Sequence, residues 1–346
     1  MPEVAAHPDL ETAFEDIESV KRACASFREV FGALRSQITK VFVGQEEVLE
    51  QTLVALFANG HVLLEGVPGL GKTLLVRTLG RALSLPFARI QFTPDLMPAD
   101  ITGTSVVVDD PVTGRRMFRF KRGPVFSQLL LADEVNRATP KAQSALLEVM
   151  QERTVTVDGK TYRLDQPFFV MATQNPIEQE GTFPLPEAQL DRFFFKVIVP
   201  YTTRVEMNEI VDRTTANVEA TVDPILDAET IIRAQRLARR IVVAPHVQSF
   251  AVRLTLSTHP GSPFADPKTD RYIAVGVSPR GAQALICAAK VMALIDGRYA
   301  IAFRDVETAA APAFRHRTIR SFEAEADGVT TDAIIERLLE YVPREA

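Results

Sequence analysis

Residues 61–73, with the sequence HVLLEGVPGLGKT, decide the fold of this 346-residue chain. The apolar run Val62–Leu64 leads into Gly66–Thr73, which matches the phosphate-loop pattern GxxxxGK[ST] at every fixed position. Glycines let backbone N–H groups surround phosphate oxygens, because no Cβ atom stands in the way. A helix beginning near Gly71 would direct its positive end at the same anion. A strand before the loop and a helix after it are the context in which this pattern binds nucleotides.

The residues of the loop have separate expected roles. Lys72 would bring a positive charge to the β- and γ-phosphates, and the Thr73 hydroxyl would be a ligand for Mg²⁺. A chance match to the pattern is expected in about one chain in a hundred of this length. The candidate nucleotide-binding residues here are Gly66, Val67, Pro68, Gly69, Leu70, Gly71, Lys72, Thr73 and Leu74.

Outward from the loop, short apolar runs alternate with helical patterns. The apolar runs are residues 61–64, 87–92, 125 or 129 to 132, 168–172 and 193–199, and the helical patterns after the first and third are residues 72–83 and 140–152. Continuous apolar strands separated by helices are typical of a parallel sheet that is covered on both faces. The fold class predicted here is therefore α/β with a parallel five-stranded sheet, whose ligands bind at the carboxyl ends of the strands.

Two carboxylates end the apolar run 129–132. Asp133 at a strand's carboxyl end would hold Mg²⁺, directly or through a water, and Glu134 would accept a proton from the attacking water or orient it. The alternative is a pair of solvated acids at a strand exit. The phosphate loop in the same sheet favours the functional interpretation.

Three further polar residues are candidates at the same sheet or beyond it. Asn175 ends another apolar run, where its amide would reach the γ-phosphate or position the water, although Asn175-Pro176 is also a common turn pair. Arg192 precedes a very apolar strand. Arg280 lies in the first turn of a helix with Ser278 as cap, where a cation opposes the helix dipole unless an anion is near. Ordinary salt bridges are the alternative for both arginines.

Two predicted β-hairpins interrupt the alternation. One spans residues 104–120, and the other spans residues 154–164 around Asp158-Gly159, a strong hairpin signal between β-forming residues. The first is rich in arginine, lysine and phenylalanine between residues 115 and 122. That mixture binds single-stranded nucleic acid in some proteins, whereas a solvated face over packed aromatics is the simpler interpretation.

The rest of the chain is predicted to be helical, in two parts. Apolar spacing predicts one helix from Val20 to about Ile38 and another from Gly44 to Ala58. After about residue 200 we expect no more strands, only helices at 229–240, 249–258, 282–295, 305–314 and 332–341. The predicted domains are a tail and helix (1–40), an α/β nucleotide-binding core (41–203) and a smaller α-helical domain (204–346).

Composition excludes several classes of protein. At 46% hydrophobic and 24% charged residues the chain resembles an ordinary globular protein, and no apolar run approaches the roughly 18–20 residues of a membrane span. Two distant cysteines exclude a disulfide framework. A net charge of −5 gives no global attraction to nucleic acid, and residues 1–6 lack the pattern of a secretion signal. The expected location is the cytoplasm.

Longer strings carry a family resemblance. They are LADEVNR (131–137), QSALLEVM (143–150), ATQNPIE (172–178), EGTFPLPEAQLDRF (180–193) and SPRG (278–281). With the phosphate loop, their order resembles an AAA+ ATPase, and in detail they resemble the MoxR family. The similarity runs from about residue 43 to residue 195, the helical remainder is matched mainly by SPRG, and the first forty residues match nothing specific.

The resemblance implies more than the spacing shows. Such proteins form rings, usually hexamers, with ATP between subunits. It implies that Asn175 is the sensor-1 residue, that Arg192 is an arginine finger reaching a neighbour's γ-phosphate, and that Arg280 is the sensor-2 arginine of a helical lid, acting in its own site or a neighbour's. Gly44 and Gln45 would lie near the adenine. The hairpins would be the helix-2 insert (about 102–122) and the pre-sensor-1 hairpin (about 154–164), a pair shared with magnesium-chelatase motors.

The expected function is Mg²⁺-dependent ATP hydrolysis that drives remodelling or maturation of a partner protein. The resemblance also implies a partner with a von Willebrand factor A-type domain and a separate client protein. The alternatives are a nucleic-acid-stimulated motor or loader, a magnesium-chelatase-like motor subunit, and a switch that binds ATP with negligible hydrolysis; Glu134 argues against the last.

Overall fold

A computed structural model describes residue 10 and residues 17–67, 69–109, 115–176, 181–215 and 221–345. Two helices precede the sheet, α1 (Ile17–Thr39) and α2 (Glu46–Phe57). Their apolar faces meet through Phe27 and Phe57, whose rings pack edge to face with centroids 5.2 Å apart. The predicted helices at 20–38 and 44–58 are confirmed, with α2 beginning two residues later than expected.

The central sheet has five parallel strands, as predicted. They are β1 (Val62–Glu65), β2 (Phe87–Gln91), β5 (Leu129–Asp133), β8 (Phe169–Gln174) and β9 (Phe195–Ile198), numbered in chain order and arranged β2-β5-β8-β1-β9. Every residue of β5 is buried, because the sheet is covered on both faces. Helices α3 (Lys72–Ala82) and α5 (Pro140–Glu152) follow β1 and β5. Of the two starts proposed for the third strand, residue 129 is correct, since 124–126 form a short 3₁₀ turn.

The two hairpins lie outside the sheet, as predicted, and they contact each other. The first consists of β3 (Gly103–Asp109) and β4 (Arg116–Arg122), and the second of β6 (Thr154–Val157) and β7 (Lys160–Arg163). Phe120 stacks on Tyr162 with ring centroids 4.6 Å apart, and the Ser105 hydroxyl donates to the Asp158 carboxylate. We refer to β3, β4, β6 and β7 together as the paired hairpins.

The C-terminal part is mainly helical, but the expectation that strands end near residue 200 is wrong. Strands β10 (Ile273–Val275) and β11 (Ile319–Arg320) form a small antiparallel pair. Strand β10 has three residues and β11 has two, which are too few to show a periodic pattern, so only their pairing defines them as strands.

The remaining helices of the chain are α4 (Pro98–Thr102), α6 (Glu187–Leu190), α7 (Arg204–Thr215), α8 (Ala228–Arg240), α9 (Pro245–Leu256), α10 (Pro279–Ile295), α11 (Phe303–Phe314), α12 (Phe322–Ala326) and α13 (Thr331–Tyr341).

Two features are absent from the described ranges. No helix there is both long enough and apolar enough to cross a bilayer. In the same ranges, histidine, cysteine, aspartate and glutamate side chains form no group of three suited to a metal ion.

His61, at the entry to β1, is buried and neutral. Its Nδ1 accepts from the Val170 N–H at 3.1 Å, and its Nε2 lies 3.2 Å from the Met150 carbonyl oxygen. Burial lowers the pKa of His61 from the ordinary 6.5 to about 4. As the pH falls through 6.5, His61 becomes protonated in the unfolded chain, whereas in the folded chain it becomes protonated only near pH 4. The stabilising effect of neutral His61 is therefore present above pH 6.5 and is lost as the pH falls toward 4.

We expect the free energy of unfolding of the wild type to fall by about 2 kcal/mol more than that of His61→Gln between pH 7 and pH 5. Urea unfolding at several pH values measures this difference. Parallel curves for the two proteins would show that His61 does not contribute to acid sensitivity.

Candidate nucleotide-binding site

The phosphate loop joins β1 to α3 through two glycines in the left-handed region. Gly69 has φ +86° and Gly71 has φ +79°, conformations that L-residues with a side chain rarely adopt. The Lys72 ammonium donates to the carbonyl oxygens of Gly66 and Val67, the latter at 3.0 Å. Burial lowers the pKa of Lys72, and the charges of Asp133 and Glu134 oppose that shift. Pro68 lies outside the described residues.

One cavity of about 280 Å³ brings together candidates from three strands. Its lining consists of Gly69, Gly71, Lys72, Thr73, Leu74, Asp133, Glu134, Gln174 and Asn175. The β1 turn, the end of β5 and the end of β8 meet here because the three strands are parallel neighbours in the sheet. Gly66 and Val67 contact this group through Lys72, as described above.

Asp133 is fixed by neighbours on both sides. The Thr173 hydroxyl donates to Oδ1 at 2.6 Å, and the Arg89 guanidinium donates to Oδ2 at 2.6 and 3.1 Å. Sequence analysis did not identify Arg89, which belongs to no motif, and it gave no role to Thr173 within the string ATQNPIE. Their strands, β8 and β2, flank β5 and therefore place both side chains beside its last residue.

Glu134 leaves the strand in a left-handed conformation, with φ 57° and ψ 51°. Its N–H donates to the Thr173 hydroxyl at 2.8 Å, which fixes the turn. The carboxylate accepts from Gln91 Nε2 at 2.7 Å and pairs with Arg137 at 3.1 Å. Gln91, at the end of β2, is a further residue that the sequence analysis missed.

The donors in this cavity suit Mg²⁺. A threonine hydroxyl and an aspartate carboxylate are hard oxygen ligands, and Mg²⁺ typically keeps several waters and takes only one or two protein ligands. Thr73 and Asp133 both line the cavity. Oδ1 of Asp133 accepts one hydrogen bond, from Thr173, and therefore keeps a lone pair for a cation, whereas Oδ2 already accepts two from Arg89.

A second cavity, of about 240 Å³, adjoins the phosphate loop. Gly69, Leu70, Gly71 and Leu74 form one wall, residues 41–43 and Gln45 a second, and Met207, Ile210, Arg213 and Thr214 of α7 a third. Gln45, in the left-handed region, is 7% exposed, and its Oε1 has no hydrogen-bond partner within the described part of the chain. This apolar slot with few polar groups suits a purine base. Helix α7 was missed because it has only four apolar residues among twelve, and no residue of it is buried.

Gly44 is not part of the slot lining. Gly44 has φ +66°, and a Cβ atom there would stand 2.1 Å from Glu206 Oε1, so a larger residue would have to displace the Glu206 carboxylate. Glu206 accepts from the N–H groups of Gln45 at 2.9 Å and Thr203 at 2.7 Å. These backbone donors lower the pKa of Glu206. The carboxylate thereby attaches α7 to the segment before α2.

The two candidate arginines lie elsewhere. Arg192 and Arg280 line a cleft of about 480 Å³ together with Arg153, Arg239 and Arg317. As far as the described residues go, this cleft shares no lining residue with the phosphate-loop cavity. Among the described residues, the buried Nε of Arg192 has no hydrogen-bond partner. The structure thus brings Arg192 and Arg280 together, but not to the phosphate loop of their own chain.

Comparison with known proteins agrees with this architecture. Residues 61–195 match the family model described as "ATPase family associated with various cellular activities (AAA)", and residues 267–338 match the model described as "AAA lid domain". The protein named Chaperone MoxR1 of Mycobacterium tuberculosis is 42% identical over 306 residues, which cover 88% of this chain and 80% of that protein. This chain belongs to the MoxR family of AAA+ ATPases.

Other matches cover still more of the similar protein. The protein named MoxR of Methylorubrum extorquens is 31% identical over 338 residues, covering 92% of this chain and 96% of that one. The Bacillus subtilis protein YeaC is 40% identical over 316 residues, covering 90% and 94%. A crystal structure from Cytophaga hutchinsonii, 38% identical, superimposes with a TM-score of 0.87 over 94% of this chain and 98% of that chain. The MoxR fold predicted from the motifs is confirmed.

Proposed function

We propose that this MoxR-family chain is a Mg²⁺-dependent ATPase that works as a ring, in which one subunit's arginine cleft completes a neighbour's phosphate site. The observation that carries the proposal is the separation of the two cavities. Every polar group of the phosphate cavity comes from the loop, β5 and β8, whereas Arg192 and Arg280 line a different cleft. Phosphoryl transfer gains from positive charge on the γ-phosphate, and a second subunit can supply it.

Within the phosphate cavity, each group of the chain has its own proposed role. Backbone N–H groups of the loop and Lys72 bind the phosphates, and Thr73 and Asp133 would hold the cation, which when bound neutralises phosphate charge. Glu134 accepts the proton of the attacking water or orients it, and Asn175 positions the same water or the γ-phosphate. In the second cavity, Leu74 and the α7 residues would enclose the adenine beside Gln45.

The paired hairpins are the part of the chain that we propose to contact the client. Phe118 is 78% exposed and Met117 is 49% exposed, which leaves apolar surface at the end of the first hairpin. Since the two hairpins contact each other, a displacement of one moves both. A change that displaces either hairpin would thus reach the client as a movement of both. A partner with a von Willebrand factor A-type domain and a ring of six subunits belong to the same proposal.

The first test is nucleotide binding. We expect Lys72→Ala to abolish measurable ATP binding at micromolar concentrations, because loss of a charge-assisted hydrogen bond costs about 1.5–3 kcal/mol, or roughly 10- to 150-fold in affinity. Titration calorimetry with Mg²⁺ and ATP measures it, and Lys141→Ala, an exposed lysine on α5, is the control. Wild-type affinity in Lys72→Ala would contradict the site.

The rate of ATP hydrolysis by the wild type tests which class of molecule is the client. We expect client protein and not nucleic acid to stimulate hydrolysis, although the first hairpin is basic. Stimulation by DNA or RNA at moderate salt would favour the nucleic-acid motor instead.

A further inference from the structure

Arg317 holds the backbone on both sides of Arg192. Its side chain is 3% exposed. Nη2 donates to the carbonyl oxygens of Phe193 at 2.6 Å and Asp191 at 3.1 Å, and Nη1 donates to that of Phe194 at 3.1 Å. Arg317 is in the helical C-terminal part, directly after α11, whereas the carbonyls precede β9 in the α/β core. One side chain therefore joins the two parts at the loop that carries Arg192.

The remaining donors of Arg317 are also used. Nη1 donates to the Ala313 carbonyl oxygen at 2.5 Å, and Nε donates to Asp191 Oδ1 at 2.8 Å. A guanidinium has five N–H groups, and each has a partner here. Although Arg317 reaches the wall of the arginine cleft, its N–H groups are all directed at its own chain. It is thus unsuited to bind a phosphate itself.

Asp191 connects the same group to Arg280. Ser278, the cap of α10, donates its hydroxyl to Asp191 Oδ1 at 2.8 Å, and Arg280 Nη1 lies 3.5 Å from Asp191 Oδ2. Asp191 immediately precedes Arg192 in the chain. The carboxylate is therefore shared between the segment that carries Arg192 and the helix start that carries Arg280.

A lysine at position 317 could not make the contacts that Arg317 makes. It presents three donors on one nitrogen, whereas the planar fork of arginine reaches acceptors in several fixed directions. Burying a charge is costly unless it is paired and hydrogen-bonded, a condition that Asp191 and the four carbonyls meet. The arrangement gives Arg192 and Arg280 a common, rigid base.

We propose that Asp191 and Arg317 are positioning residues that hold Arg192 and Arg280 at a fixed spacing, so that a neighbour's γ-phosphate meets both arginines together. This inference rests on the proposed function, in which the two arginines act on a neighbouring subunit. The Asp191–Arg317 ion pair joins the α/β core, which carries Arg192, to the helical C-terminal part, which carries Arg280.

The first test compares two arginines of the same segment. Arg317→Lys should lower kcat for ATP about 10- to 100-fold with unchanged KM, because small misplacements of positioned groups have effects of that size. Arg315→Lys is the matched control. Arg315 also crosses between the parts, donating to the Lys196 carbonyl oxygen at 2.8 Å and pairing with Asp332 at 2.9 Å, but none of these contacts reaches residues 191–194. Equal effects of the two changes, or a wild-type kcat in Arg317→Lys, would overturn the proposal.

Mixing subunits separates positioning from a general loss of structure. Glu134→Gln subunits keep an intact arginine cleft, and Arg317→Lys subunits keep an intact phosphate loop. Mixed rings should therefore hydrolyse ATP several-fold faster than the two proteins measured separately. A mixture of Glu134→Gln with Arg192→Ala is the reference.

The two proposals fail in different ways. Recovery with Arg192→Ala but not with Arg317→Lys would overturn the positioning role and leave the shared site intact. Recovery in neither mixture would overturn the shared site itself. If Arg317→Lys does not fold, Asp191→Asn replaces it, since it removes the charge but keeps the size, and the same loss of kcat at unchanged KM is expected.

Discussion

Glu134→Gln should bind Mg²⁺ and ATP like the wild type and hydrolyse ATP about 10²- to 10⁴-fold more slowly, the usual contribution of a positioned general base. The change keeps the size of the side chain and leaves an amide oxygen that can still accept from Gln91, so the cavity retains its shape. It removes the basic group from the end of β5. Steady-state phosphate release measures the rate, and calorimetry measures the affinity.

Glu148→Gln is the matched control, because Glu148 is an exposed glutamate on α5 outside the cavity. Normal turnover by Glu134→Gln would remove Glu134 from the role of base. A variant that binds ATP without consuming it is also the best bait for the client, since it holds the ring in its loaded state. Retention of the same protein with ATP and not with ADP would identify that client.

Arg192→Ala should keep the affinity of each subunit for ATP and lose about 10³-fold or more of the assembly-dependent rate, the range reported for arginine fingers in general. The reason is geometric: Arg192 is absent from the lining of its own phosphate cavity, so its removal leaves that binding site unchanged. Arg81→Ala, an exposed arginine at the end of α3, is the control.

A concentration series checks the same assignment without a substitution. If hydrolysis needs a neighbour's arginine, the specific activity of the wild type rises with protein concentration until rings are complete. A constant specific activity across the range in which sedimentation shows assembly would contradict the finger role of Arg192.

The predictions from sequence were most accurate where local rules apply. Asp158-Gly159 predicted a hairpin, and both residues have positive φ, 51° and 73°, as a tight two-residue turn requires. The sheet was predicted because continuous apolar runs between helices have few other solutions. The short strands β10 and β11 were missed because two or three residues are too few to show a pattern. The two strands also pair across a long stretch of sequence.

The candidate site was predictable in part for the same reason. Motif residues in the phosphate loop and at the ends of β5 and β8 meet at one sheet edge in any parallel arrangement. Arg89 and Gln91 belong to no motif, and Thr173 was given no role within its string, yet the three hold Asp133 and Glu134 by hydrogen bonds. Their role depends on β2 and β8 flanking β5, which no local pattern specifies.

The sequence by itself determined the phosphate loop, the α/β class, the two hairpins and the MoxR family, because each depends on the identity and spacing of residues within a few positions. Only the tertiary structure decided that Arg192 and Arg280 share a cleft away from their own phosphate loop, that α7 forms one wall of the second cavity, and that Arg317 contacts Asp191. Those arrangements depend on packing between segments 80 or more residues apart, as in the contact of Arg317 with Asp191, and a single side chain that reaches across such a distance leaves no periodic signal in the sequence.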